Sequence, residues 1–163
     1  MSLAEEVIAE LTRRHLSVAV AESLTGGLLA AELISVPGAS AVVRGGVVAY
    51  DTQLKHTILG VDAALLAAHG AVHPDVAAAM AIGVRRVCEV GGEPASVGIS
   101  TTGVAGPDPQ DGQPVGTVFV GISTDAGLEV LNLVLDGDRQ AIRRAVVSES
   151  LSGLMRILGR GQS

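Results

Sequence analysis

Apolar positions along this chain change their period several times. Leu3, Val7, Ile8 and Leu11 recur at three- and four-residue intervals, which predicts an amphipathic helix over residues 3 to 15. The next stretch, LSVAVAE (16 to 22), is short and apolar up to its last residue, the pattern of a strand buried on both faces. Helical spacing resumes at Leu28 to Ile34 and is closed by Val36-Pro37-Gly38. VVRGGVVAYD (42 to 51) reads as a second strand whose glycine pair marks a bulge or a close approach. TQLKHTILGV and DAALLAAHG read as two short helices, the second capped by Asp62 and stopped by Gly70. Residues 74 to 90 give the clearest helix. Pro74 sits in its first turn, and Val76, Met80, Val84, Val87 and Cys88 mark its buried face.

PASVGIST (94 to 101) is a third strand, followed by the glycine- and proline-rich loop TGVAGPDPQDGQPVG (102 to 116). GTVFVGIST and LEVLNLVLD are strand-length runs joined through Asp125-Ala126-Gly127, a hairpin signal. Asp138 caps a last helix running to about residue 158, and the tail GRGQS is polar and expected to fray. Strands alternate with helices early and a hairpin comes late. That order predicts an α/β fold, a three-layer α/β/α sandwich. Its mixed, mostly parallel sheet would have about five or six strands and a late antiparallel hairpin. No linker interrupts residues 3 to 158, so a single domain is expected.

Composition narrows the function. Hydrophobic residues make up 48% of 163 residues, yet Tyr50 and Phe119 are the only aromatics. The core must be Ala, Val, Leu and Ile, and there is no aromatic platform for stacking bases. The net charge of -6 also lacks the basic footprint that duplex binding requires, so nucleic acid is not an expected partner. The first residues carry two Glu where a signal peptide is basic, and no run reaches the roughly 18 apolar residues of a membrane span. Cys88 is the sole cysteine, so no internal disulfide can form. A cytoplasmic protein with no membrane partner is expected.

The candidate chemistry begins where the first strand meets its helix, at Ser23-Leu24-Thr25-Gly26-Gly27. Backbone N–H groups at a helix start favour an anion or a developing oxyanion, which points to Thr25, Gly26 and Gly27. The same turn can expose the Ser23 hydroxyl. The stretch is not G-x-S-x-G, because Ala21 replaces the first glycine, and it is not a P-loop, because no G-K-[ST] follows. Local pattern leaves Ser23 open between helix cap and nucleophile.

A nucleophilic serine needs a base. None of His15, His56, His69 and His73 lies in a catalytic context; His69 and His73 have a metal-like spacing, but Gly70 and Pro74 break the helix that would align them. Lys55 is the only lysine in the chain and follows the only tyrosine, Tyr50, by five residues. A desolvated lysine can act as a base, with the tyrosine hydroxyl as relay. The long loop places Thr101, Thr102 and its backbone at a sheet edge where α/β domains bind ligands. Arg139 and Arg143, one turn apart at a helix start, have forks suited to phosphate, with Arg44 a weaker candidate.

Taken together, AESLTGG, GGVVAYDTQLKHTILGV, HGAV, MAIGVRR, STTGVAGPD, PVGTVFVGI and GDRQAIRR resemble, in order and spacing, the CinA C-terminal domain family, the PncC-type nicotinamide-nucleotide amidases. The resemblance covers about residues 3 to 158. It implies deamidation of nicotinamide mononucleotide to nicotinate mononucleotide and ammonia, a pyridine-nucleotide salvage step. It implies Ser23, Tyr50 and Lys55 as catalytic residues. The nucleotide pocket would be formed by Thr102, Gly103, Gly106 and Arg139; Arg143, from its spacing alone, is expected to bind substrate with them. No metal or other cofactor is implied, and relatives of this kind form homodimers. The chain would be the stand-alone form, without the nucleotide pyrophosphatase-like domain of longer members. Two positions depart from the common pattern: Asp51-Thr52 follows Tyr50 where many relatives have Ser-Asn, and His73 stands where a serine is common. Asp51 places a negative charge near Lys55 and is expected to raise its pKa. A catalytically silent nucleotide-binding module and an interaction protein tied to competence or DNA recombination are the alternatives.

Overall fold

The computed structural model describes residues 1–161; the last two residues of the polar tail lie outside it. The helices are α1 (Leu3–Arg14), α2 (Leu28–Ile34), α3 (Thr52–Thr57), α4 (Ala63–His69), α5 (Pro74–Val87) and α6 (Arg139–Arg160). The strands are β1 (Val18–Glu22), β2 (Val43–Val48), β3 (Val97–Gly103), β4 (Thr117–Thr124) and β5 (Gly127–Val134). The order is the one the apolar pattern predicts. Asp62 and Asp138 cap α4 and α6, accepting from Ala64 and Ala141 N–H. α5 stops three residues short of its expected end, and Val87 is exposed there rather than buried.

Among the described residues the strands form one sheet in the order β2-β1-β3-β4-β5. β1 pairs in parallel with β2 and β3; the β3–β4 and β4–β5 pairs are antiparallel. All strands but β4 therefore run in one direction. Helices α1, α2 and α6 pack on one another over one face, and α5 covers the other, against β1, β3 and β4. This is a three-layer α/β/α sandwich with a mixed sheet.

The unbroken apolar run of β1 now has its reason. Val18 and Val20 join the core under α1, α2 and α6, while Ala19 and Ala21 join the core under α5. The α5 side is floored with small residues, and the helix sits very close to it. A Cβ built on Gly121 would stand 2.4 Å from the Ala77 carbonyl oxygen, so this helix–sheet distance admits only glycine. Ser100, also on this floor, donates its hydroxyl to the same carbonyl at 2.6 Å.

The chain leaves β1 toward β2 through α2, then crosses back through α3, α4 and α5 to β3 on the other side of β1. The connections from β1 and to β3 thus diverge onto opposite faces. A crevice opens at the carboxyl ends of these two strands, the usual ligand position in open α/β sheets.

Candidate active site

β1 ends at Glu22, and its carboxylate is 1% exposed. It accepts from the N–H groups of Leu29 at 2.8 Å and Ala30 at 3.0 Å, so the protein's own carboxylate occupies the start of α2. The sequence pattern leaves this helix start open to an anion or a developing oxyanion; two of its N–H groups are instead satisfied from within the chain. In the turn before it, Gly26 N–H donates to the Ser23 carbonyl at 3.1 Å. Gly26 and Gly27 have φ of +59° and +107°, a backbone that other residues rarely adopt, which explains the glycine pair. Thr25 is fully buried and shares a 2.8 Å hydrogen bond with the Thr101 hydroxyl. None of Thr25, Gly26 and Gly27 lines the crevice; Ser23 and Leu24 do. Among the described residues the N–H groups of Leu24 and Thr25 have no protein acceptor.

Lys55 reaches this turn from α3. It is 1% exposed, and its ammonium donates to Ser23 Oγ at 2.9 Å, the Ala49 carbonyl at 2.7 Å and the Tyr50 carbonyl at 3.4 Å. All three N–H donors of the ammonium can thus be directed at oxygens. Burial pushes its pKa down to about 8, against the opposing charges of Asp51 and Asp111. The lysine touches the serine directly. The relay expected through the Tyr50 hydroxyl is not the geometry found: Tyr50 is 61% exposed, and its hydroxyl accepts from Arg139 Nη2 at 3.3 Å. The tyrosine side chain lines the crevice, while its carbonyl accepts from the lysine.

The crevice is a cavity of about 250 Å³ with Ser23 in its lining. Gly103, Gly106, Thr102 and Arg139 line it as well, which brings the predicted pocket residues together. Arg139 Nη1 donates to the Gly106 carbonyl at 2.6 Å, so this guanidinium bridges the long loop and Tyr50 at the rim. The Thr102 hydroxyl is engaged within the protein, donating to the Ala71 carbonyl at 2.7 Å. Asp111 accepts from Ala71 N–H at 3.0 Å, which ties the long loop to the segment between α4 and α5.

Arg143 is the predicted pocket residue that stands apart. Its Nε donates to the Leu24 carbonyl at 2.8 Å and its Nη2 to the Thr25 carbonyl at 3.3 Å, behind the serine turn rather than in the cavity. Arg44 is remote, donating to the carbonyls of Cys88 and Glu93. His73 caps α5, accepting from Asp75 N–H, and its ring stacks on His69.

Four participants escaped sequence reasoning: Glu22, Asp108, Gln110 and Asp111. Only Glu22 carried a signal, as the one charge ending an otherwise apolar strand. Asp108, Gln110 and Asp111 lie in an irregular loop whose path no periodicity reports.

Comparison with known proteins follows the same outline. The model of the CinA C-terminal domain matches residues 1–158. A CinA-like protein of Frankia casuarinae is 49% identical over 96% of this chain, which spans 35% of that relative's length. A solved CinA superfamily protein from Klebsiella pneumoniae superposes with a TM-score of 0.91 at 30% identity, covering 97% of this chain and 96% of its own. A competence/damage inducible protein from Agrobacterium tumefaciens gives 0.88 at 34% identity, covering 96% and 93%.

Proposed function

The chain belongs to the CinA C-terminal domain family, and on that premise we propose that it is a serine amidase releasing ammonia from nicotinamide mononucleotide. The observation that carries this reading is the buried 2.9 Å contact between Lys55 Nζ and Ser23 Oγ at the floor of the crevice. A base and a nucleophile within hydrogen-bond reach, the base with its pKa lowered to about 8, are the parts that acyl transfer needs. A cavity of about 250 Å³ with one guanidinium at its rim suits a mononucleotide better than a dinucleotide.

In the proposed reaction neutral Lys55 takes the Ser23 proton as Oγ adds to the carboxamide carbon, and the C=O electron pair moves onto oxygen. The pair returns, the C–N bond breaks, and Lys55 passes its proton to the departing nitrogen, giving ammonia and an acyl-serine. Water then loses a proton to Lys55 and attacks the ester; the acyl C–Oγ bond breaks, Lys55 returns the proton to Oγ, and nicotinate mononucleotide, ionising to its carboxylate, and free Ser23 are the products. Arg139 holds the 5′-phosphate, and that remote contact orients the amide. Tyr50, bonded to Arg139, helps to place the guanidinium instead of relaying a proton.

The test is ammonia release from nicotinamide mononucleotide by purified protein. Ser23→Ala should lower kcat by roughly 10³-fold or more while the protein stays folded. Full turnover in that variant removes the reading. A second reading, a silent nucleotide-binding module, draws on the competence/damage inducible name of the Agrobacterium structure; nucleotide binding by wild type without ammonia selects it.

A further inference from the structure

The serine turn is clamped from two sides. Glu22 takes the N–H groups of Leu29 and Ala30, so these two cannot receive an oxyanion. Arg143, from the second turn of α6, takes the carbonyls of Leu24 and Thr25. A trans peptide is planar, with its C=O and N–H antiparallel. Pulling the Leu24 carbonyl toward Arg143 therefore turns the N–H of Thr25 the opposite way. The Ser23 carbonyl is likewise held, by Gly26 N–H at 3.1 Å, which fixes the plane that carries the Leu24 N–H. In a tight turn of this kind successive N–H groups point toward its N-terminal end, where Ser23 sits. Among the described residues the N–H groups of Leu24, Thr25 and Gly27 have no protein acceptor, and the first two are the ones that follow Ser23 directly.

We propose that Arg143 is a positioning residue for catalysis rather than a phosphate ligand: by holding the Leu24 carbonyl it presents the N–H of the same peptide, that of Thr25, to the oxyanion formed on Ser23, beside the Leu24 N–H whose plane the Gly26 N–H fixes. The proposal rests on the acyl-transfer reading of the site. Its energetic logic is that donors fixed before the reaction cost no reorganisation when negative charge develops. The Arg143 charge, at the carbonyl end of the Leu24–Thr25 peptide, polarises that peptide and strengthens the Thr25 N–H as a donor. The close packing supports a fixed arrangement: a Cβ on Gly26 would lie 3.4 Å from Arg143 Nη2.

The experiment compares Arg143→Met, Arg143→Lys and Arg139→Met in steady-state ammonia release from nicotinamide mononucleotide. Arg143→Met should lower kcat by about 10²-fold with KM within about threefold of wild type, the split expected for lost transition-state donors. Arg143→Lys, whose ammonium reaches one carbonyl at a time, should recover part of the loss; it also serves if Arg143→Met does not fold. Arg139→Met should instead raise KM. A raised KM with unchanged kcat in the Arg143 variants, or no change in either constant, overturns the proposal. A second readout separates this from failure of the substrate reading: acylation of Ser23 by p-nitrophenyl acetate, followed by mass spectrometry. If wild type releases no ammonia but its Ser23 is acylated at a rate that falls with Arg143→Met, the substrate is wrong and the positioning role stands. If Arg143→Met leaves that acylation rate unchanged, the positioning role fails.

Discussion

Lys55 is the residue on which the proposed chemistry turns. Its side chain is the largest among the fully buried ones, and it is charged. Burial lowers the pKa to about 8, while Asp51 and Asp111 pull it back up. At pH 7 a group with that pKa is neutral in roughly a tenth of the molecules. The free-enzyme kcat/KM should therefore rise with pH to a midpoint near 8, as neutral lysine accumulates. Asp51→Asn removes one raising charge and should move the midpoint to lower pH. The asparagine can still accept from Gln53 N–H, so the α3 cap survives. A pH–rate profile unmoved by this change would show that another group titrates. Stability carries the same sign. The unfolded lysine takes up its proton below about 10.5 but the folded one only below about 8, so this group's contribution grows as pH rises through that window. It is fully present above 10.5 and absent below 8; urea denaturation across the window, with Lys55→Met as reference, reads it.

The elements matter through how closely they approach. α5 presses on the segment that follows α3 as well as on the sheet: a Cβ at Gly83 would lie 1.9 Å from the Leu59 carbonyl oxygen, just beyond the end of α3. Backbone, unlike a side-chain tip, cannot step aside. Gly83→Ala should thus cost about 1 to 3 kcal/mol, the range for overpacking, read as a lower midpoint in denaturant at unchanged slope. Because α3 carries Lys55, the same variant should also lose ammonia-releasing activity beyond what its unfolded fraction explains. The short helix α2 makes the complementary point. It is seven residues long and marginal alone, yet the buried Glu22 carboxylate satisfies two of its first N–H groups. One acidic residue therefore ends a strand, starts a helix and sets the turn that carries Ser23.

Across the whole molecule, the crevice exists because β1 and β3 send their connections to opposite faces, and the proposed catalytic groups gather there from β1, α3, the long loop and α6. A ligand spanning them binds only the folded state. With Ser23→Ala protein, which holds substrate without turnover, nicotinamide mononucleotide at 100 times its Kd should add about 2.7 kcal/mol and raise Tm by roughly 5 to 11 °C. Nicotinamide riboside, lacking the phosphate that Arg139 would hold, should give a smaller shift at equal concentration; equal shifts would remove Arg139 from phosphate binding. Among the described residues no helix is long and apolar enough to cross a membrane. Much of this architecture was legible in the sequence because periodicity reports burial: the two-faced burial of β1, the Asp62 and Asp138 caps and the order of elements all rest on local physics. The motif AESLTGG singled out Ser23, and the uniqueness of Lys55 and Tyr50 singled out the groups near it. What local pattern could not supply is direction across distance. Whether Lys55 meets Ser23 itself or acts through Tyr50 depends on where α3 is docked, and the docked helix puts Nζ directly on Oγ. Whether Arg143 faces a phosphate or the back of the serine turn depends on how α6 lies against α2 and the sheet, and both arginines share one helical face in sequence. Only the tertiary structure separates them, because side chains one helical turn apart look alike until the partners of each are in place.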